Sequence, residues 1–297
     1  MPVPSPLQQM DRWDEWVKSY PGWLVYGIND TPLAAHAFED MMPPQALAGL
    51  SVEVGAGVSL HVLTHCTDIT HLYLPSVKDS DDLQPLACLN HIQRLRIRLH
   101  CSGKSLEVLS QLQSLTSLTV DALQQQQPMD LQPLAALTQL EELGLRRFSK
   151  QQDYSQLAAL TRLRWLDLCL SFNLSDLTPL SALIKLTHLD ISGTNGIIDL
   201  HPLEPLVNLE ELNLLGSSML ADLRPLAHLQ NLRSLNLSYC ERVADLTPLE
   251  RLPHLRALYL ADCWRVQPVV REAVEDRDFA RFRALLQAAN QPRQANL

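Results

Sequence analysis

Asp222 to Ala244 reads DLRPLAHLQNLRSLNLSYCERVA, and the chain then begins the same pattern again at Asp245. Further starts fall at Ser59, Asp82, Ser105, Asp130, Asp153, Asp176 and Asp199. Each step is 23 residues, except the 25 from Ser105 to Asp130. With the start counted as offset 0, offsets 4, 7, 10, 13 and 15 are apolar in all nine copies. Leu stands at offsets 4 and 13 every time, as at Leu226 and Leu235. A helix or strand period alone does not fix a repeat length, so the period implies a solenoid of stacked units.

Leu-x-Leu at offsets 13 and 15, as in Leu235-Asn236-Leu237, is a period-two strand signal with both leucines on one face. Strands of successive copies then stack as a parallel sheet about 4.8 Å apart, each copy burying its neighbour's leucines. Pro85, Pro133, Pro179, Pro202, Pro225 and Pro248 sit at offset 3. A fixed φ and a missing N–H suit the first position of a short helical turn there. The spacing therefore predicts an α/β repeat solenoid, with a parallel β-sheet on the concave face and short helical turns on the convex face.

The pattern LxxLxxLxLxxC over residues 59 to 267 resembles a leucine-rich repeat, and the DLxPL start resembles the bacterial internalin-like group. The resemblance implies a protein-protein interaction module without a cofactor. It suggests a bacterial adaptor or toxin-immunity type of protein acting in the cytoplasm. The alternative is an effector exported without a cleaved signal and acting on a host protein.

Composition narrows the classes further. A formal net charge of −9 argues against nucleic acid or an anionic membrane as partner. No run of about 18 apolar residues occurs, so no transmembrane helix is expected. The first residues, MPVPSPLQQMDRWDEW, lack a basic stretch followed by an apolar one, so no secretory signal is read there. Cys66, Cys88, Cys101, Cys169, Cys240 and Cys263 are scattered, with no CxxC pair to indicate a disulfide framework or zinc site. Cys66 takes a core leucine position at offset 7. Cys240 and Cys263 share offset 18 with Ser171, Thr194 and Ser217, which predicts buried structural thiols. A reduced, cytoplasmic, monomeric protein is the expectation.

Three parts follow along the chain. Residues 1–58 carry Trp13, Trp16, Trp23, Tyr20, Tyr26 and Phe38 and read as an aromatic N-terminal cap. Residues 59–267 hold the nine repeats. The early copies are degenerate, with His65, His71, His91 and His100 read as surface residues, and Gln124–Gln127 as a bulging loop. Residues 268–297 form a C-terminal helical cap and tail, with Val270, Val274, Phe282, Leu285 and Leu286 at helical spacing. Asp130, Asp153, Asp176, Asp199, Asp222 and Asp245 make a ladder at offset 0. One carboxylate per copy is too few for calcium, so each is read as a turn cap accepting backbone N–H groups.

Function is sought at offsets 12, 14 and 16, which flank the strand leucines and, read from sequence, carry no core duty. Two patches emerge. Arg94, Arg96 and Arg98 share one strand face, with Arg146 and Arg147 two copies on. Farther along, Glu142, Trp165, Asp167, His188, Asp190, Glu211, Asn213, Asn236 and Tyr259 form an acidic, polar surface around one indole. Such an anchor predicts a protein partner with a basic surface. His188, Asp190 and Ser192 also share a strand face, but steps of about 6.5 Å and the lack of a nucleophile turn argue against a hydrolase. A non-enzymatic binding module is expected.

Overall fold

The computed structural model describes residues 60–290 apart from 66, 79, 101–104, 124, 126 and 151, together with the backbone of 23–26 and 51–54. The nine repeats give strands β3 (His71–Val77), β4 (Arg94–His100), β5 (Ser117–Leu123), β6 (Glu142–Arg146), β7 (Trp165–Asp167), β8 (His188–Asp190), β9 (Glu211–Asn213), β10 (Ser234–Asn236) and β11 (Ala257–Tyr259). Two more, β1 (Trp23–Tyr26) and β2 (Ser51–Val54), continue the sheet ahead of them. All neighbours pair in parallel and in chain order. The N-terminal segment thus contributes two strands to the sheet, which no repeat signal in residues 1–58 indicated; its aromatic side chains lie outside the described residues.

Leucines at offsets 4, 7, 10, 13 and 15 are buried throughout, for example Leu180, Leu183, Leu186 and Leu189. Offset 1 also belongs to the core, from Leu83 to Leu246, and so does offset 21, from Leu174 to Val266. The return segments are 3-10 turns of the Thr178–Ala182 type, with Pro at their start. All six ladder aspartates cap these turns. Each Oδ1 accepts the N–H two residues on, at 2.8–2.9 Å, as Asp176 does from Thr178 and Asp245 from Thr247.

The copies divide into two kinds. In β4 and β5 alternate burial runs on through Leu99 and Ala122 at offset 17, so these strands span seven residues. From the copy at Asp130 onward, offset 17 is left-handed instead: Arg147, Leu170, Gly193, Gly216, Tyr239 and Asp262 have φ between 57° and 78°. That residue's N–H still donates to a carbonyl of the next copy, as Leu170 does to Ser192 and Gly193 to Leu215, and its left-handed φ then redirects the chain. Only Gly takes this conformation without strain, so four non-glycine residues hold it against a cost of about 1 kcal/mol each.

Offset 18 lies just inside that turn. Cys240 and Cys263 are fully buried there beside Ser171, Thr194 and Ser217. The Cys240 thiol donates to Leu214 O at 3.3 Å and the Cys263 thiol to Leu237 O at 2.9 Å. Ser171 reaches the corresponding carbonyl of Leu145. Burial pushes the Cys240 thiol up to about 12, which keeps it protonated and unreactive. Cys88 and Cys169 are likewise free, and Cys66 and Cys101 lie outside the described residues.

Two local expectations change. Gln125 does not bulge: it is buried, and its Oε1 accepts the Lys150 N–H at 3.2 Å. The insertion is thereby tied to the following copy. The C-terminal segment is two helices, α1 (Pro268–Glu275) and α2 (Phe279–Asn290), with Arg277 in a left-handed conformation between them. Phe282, Leu286, Val270 and Val274 face the last repeat, and Arg283 donates to the carbonyls of Leu252 and Pro253. Of the early histidines, His91 and His100 are exposed and His71 is half-buried, while the side chain of His65 lies outside the described residues. No helix among the described residues is long and apolar enough to cross a membrane.

Candidate functional site

In-register pairing turns each offset into a row across the sheet. Offset 12 aligns His71, Arg94, Ser117, Glu142, Trp165, His188 and Glu211. Offset 14 aligns Tyr73, Arg96, Thr119, Gly144, Asp167, Asp190, Asn213, Asn236 and Tyr259. The longer strands extend a third row, Arg98–Asp121–Arg146, at offset 16.

Offset 14 is not free of structural duty, contrary to the sequence reading. Asp167, Asp190, Asn213 and Asn236 each accept the backbone N–H two residues on, from Cys169, Ser192, Leu215 and Ser238, at 2.8–3.2 Å. Strands β7 to β10 end at offset 14, so the offset-16 N–H needs an acceptor, and an Asp or Asn side chain supplies it. Asp167 and Asn236 are buried as a result. Asn213 also donates to Asp190 Oδ2 at 2.9 Å, linking adjacent copies.

The acidic patch and the arginine patch are one network. Arg146 Nε donates to Asp167 Oδ2, and its guanidinium lies 5.8 Å from the centre of the Trp165 ring. Asp121, itself fully buried, is approached by Arg96 at 3.4 Å, Arg98 at 3.9 Å and Arg147 at 3.8 Å. Glu142 lies 3.7 Å from Arg94 and accepts from Ser117 at 2.8 Å. His188 Nε2 stands 3.4 Å from Glu211. Trp165 is half-buried under Arg146 rather than a lone exposed indole, and Trp264, on a turn, is the more open of the two. Trp165, Glu142, His188, Glu211, Asn213 and Tyr259 remain partly accessible on the face.

No relay forms among His188, Asp190 and Ser192. The Asp190 oxygens take the Ser192 N–H and the Asn213 amide, and His188 Nδ1 pairs with Thr187 Oγ1 at 2.8 Å. Burial, and next the charge of Asp167, raise the Asp190 carboxyl to about 6. An unfolded aspartate ionises near pH ~3.9. Between those values the folded state holds a proton that the unfolded chain has released, so stability is full below pH ~4 and declines as pH rises through about 6. Asp190→Asn is expected to abolish that decline and to raise stability at pH ~7 by about 1–2 kcal/mol, less than the full shift because Asn213 must reorient. Urea unfolding across this pH range checks it; a decline that survives in the variant places its origin elsewhere.

No family model matches the sequence, and no curated protein does. Solved structures do match. An internalin from Listeria monocytogenes is 27% identical with a TM-score of 0.60, over 71% of this chain and 61% of that one. Internalin C2 of the same species is 24% identical with a TM-score of 0.55, over 68% and 84%. TLR13, in a complex with single-stranded RNA, is 18% identical with a TM-score of 0.54, over 75% and 41%. This chain thus spans about three fifths of the first internalin. The parallel sheet and the 3-10 returns, together with these likenesses, show a leucine-rich-repeat solenoid whose fold resembles that of the internalins.

Proposed function

We propose that the chain is a protein-binding module that seats its partner on the concave sheet face, with Trp165 at the centre of the contact. The observation that carries this is the indole itself: a large aromatic on an otherwise polar row, fixed in place by Arg146 and still partly accessible. A rigid aromatic loses little freedom on binding, which is why such residues dominate interface energetics. Glu142, His188, Glu211, Asn213 and Tyr259 surround it as the polar contact set. Asp167 and Asn236 support the face from below, and Asp190 does so in part. The expectation of a basic partner loses its footing, because Asp167 is spent on Arg146, Glu142 on Arg94, and Glu211 on His188.

An adaptor or immunity-type protein working inside its own cell fits the four free thiols among the described residues, three of them buried. An effector acting on a host protein is the second setting, and an enzyme the last. Affinity capture with the parent, Trp165→Ala and Trp264→Ala proteins tests the reading. The partner should be retained by the parent and by Trp264→Ala, and Trp165→Ala should weaken its binding on the order of 30-fold. Loss with Trp264→Ala alone would move the contact to the turns. Retention of nuclease-sensitive RNA in place of a protein would overturn the reading altogether.

A further inference from the structure

We propose that the arginine cluster of β4–β6 seats a carboxylate-rich segment of the partner protein, a run of Asp or Glu side chains. This rests on the concave face being the docking face, though not on Trp165. Three guanidiniums, those of Arg96, Arg98 and Arg147, share one carboxylate, Asp121. A fourth, Arg146, is already satisfied by Asp167. Both carboxylates lie at the bottom of the cluster, 1% and 3% exposed, whereas the side chains of Arg98 and Arg147 are 42% and 36% exposed. What an approaching molecule meets is therefore cationic, on a chain whose overall charge is −9.

The cluster is also loosely closed. Contacts of 3.4–3.9 Å to Asp121 are longer than the ~2.7–2.9 Å of a charge-assisted hydrogen bond. Asp121 Oδ1 accepts no hydrogen bond. Each guanidinium carries donors in a planar fork that matches a carboxylate, so Arg98 and Arg147 keep donors to offer a second anion without giving up the first. The two stand on adjoining parts of the sheet, one on β4 and one just after β6, either side of Asp121. Rising from either side of β5 and both touching its Asp121, the two can meet one carboxylate or two neighbouring carboxylates of an extended acidic segment together.

A fluorescent oligoglutamate peptide, followed by anisotropy at low salt, tests this on the full chain. The parent should bind it, and binding should fade as ionic strength rises. Arg98→Gln with Arg147→Asn should weaken binding at least about tenfold, Asn being chosen because it tolerates the left-handed backbone at 147. Arg251→Gln, an exposed arginine on a convex turn, should bind as the parent does. Should the double variant melt early, Arg98→Gln alone carries the test, with weakening of about threefold or more expected. The proposal fails if the parent does not bind, if Arg251→Gln weakens binding equally, or if a single-stranded oligoribonucleotide of matched charge binds more tightly. Loss of the peptide response while partner capture still depends on Trp165 sinks this inference alone. Arginine-dependent peptide binding with partner capture indifferent to Trp165 sinks the indole-centred reading alone.

Discussion

Asp167→Ala is expected to lower the unfolding free energy by about 3–5 kcal/mol, although the residue stands on the sheet face that looks toward solvent. Asp167 is 3% exposed. Its Oδ2 accepts from Arg146, itself 8% exposed, and its Oδ1 accepts the Cys169 N–H at 2.9 Å. Truncation leaves a buried guanidinium without its nearest counter-charge and a buried N–H without an acceptor. An arginine cannot shed its proton to escape, so the full desolvation penalty falls on the folded state. Asp167→Asn keeps an acceptor for Cys169 and should lose about half as much. Replacing both partners, Asp167→Leu with Arg146→Leu, should be milder than Asp167→Ala alone. Urea midpoints for the three variants decide it; a neutral Asp167→Ala would show that the pair behaves as an ordinary surface ion pair.

The repeat period made the core legible in the sequence. Leu at offsets 4 and 13, and the Leu-x-Leu pair, gave the strands, their parallel order and their register, because one leucine per fixed interval can be buried only by its copy in the next unit. The DLxPL aspartates were legible for the same reason, since a capping carboxylate acts within two residues of itself. The site was less legible. Asp167, Asp190, Asn213 and Asn236 looked free because their partners are backbone N–H groups, and a backbone donor leaves no mark in the sequence. The left-handed offset 17 was hidden too: two glycines hint at it, but Arg147, Leu170, Tyr239 and Asp262 do not. Side-chain spacing alone also could not show that Arg96, Arg98 and Arg147, from different copies, converge on Asp121.

Phe148→Ser should cost about 3–5 kcal/mol, the loss expected of Phe148→Ala, even though Ser171 fills this offset in the next copy. Phe148 stands at offset 18 in the copy that begins at Asp130, and it is fully buried. Ser171, Cys240 and Cys263 reach the offset-15 carbonyl of the preceding copy, as Ser171 does at Leu145, whereas Thr194 bonds Ile191 of its own copy. Leu145 lies beyond the β6–β7 pairing, which stops at Gly144 and Asp167. The equivalent residue ahead of Phe148 is Val120, and it lies inside the β5–β6 pairing, which runs on to Asp121 and Arg146. A serine hydroxyl at 148 would find that carbonyl already engaged. Phe148 is among the largest fully buried side chains, so the interior there is packed around a ring. The seam between seven-residue strands and short ones is thus filled by a ring, and removing it leaves a cavity and an unpartnered hydroxyl together. Cys240→Ser, in a copy built for a small polar residue, should lose less than about 1 kcal/mol. Urea unfolding of the two serine variants side by side measures the difference. Equal midpoints would mean that the column tolerates serine everywhere and that the seam does not depend on the ring.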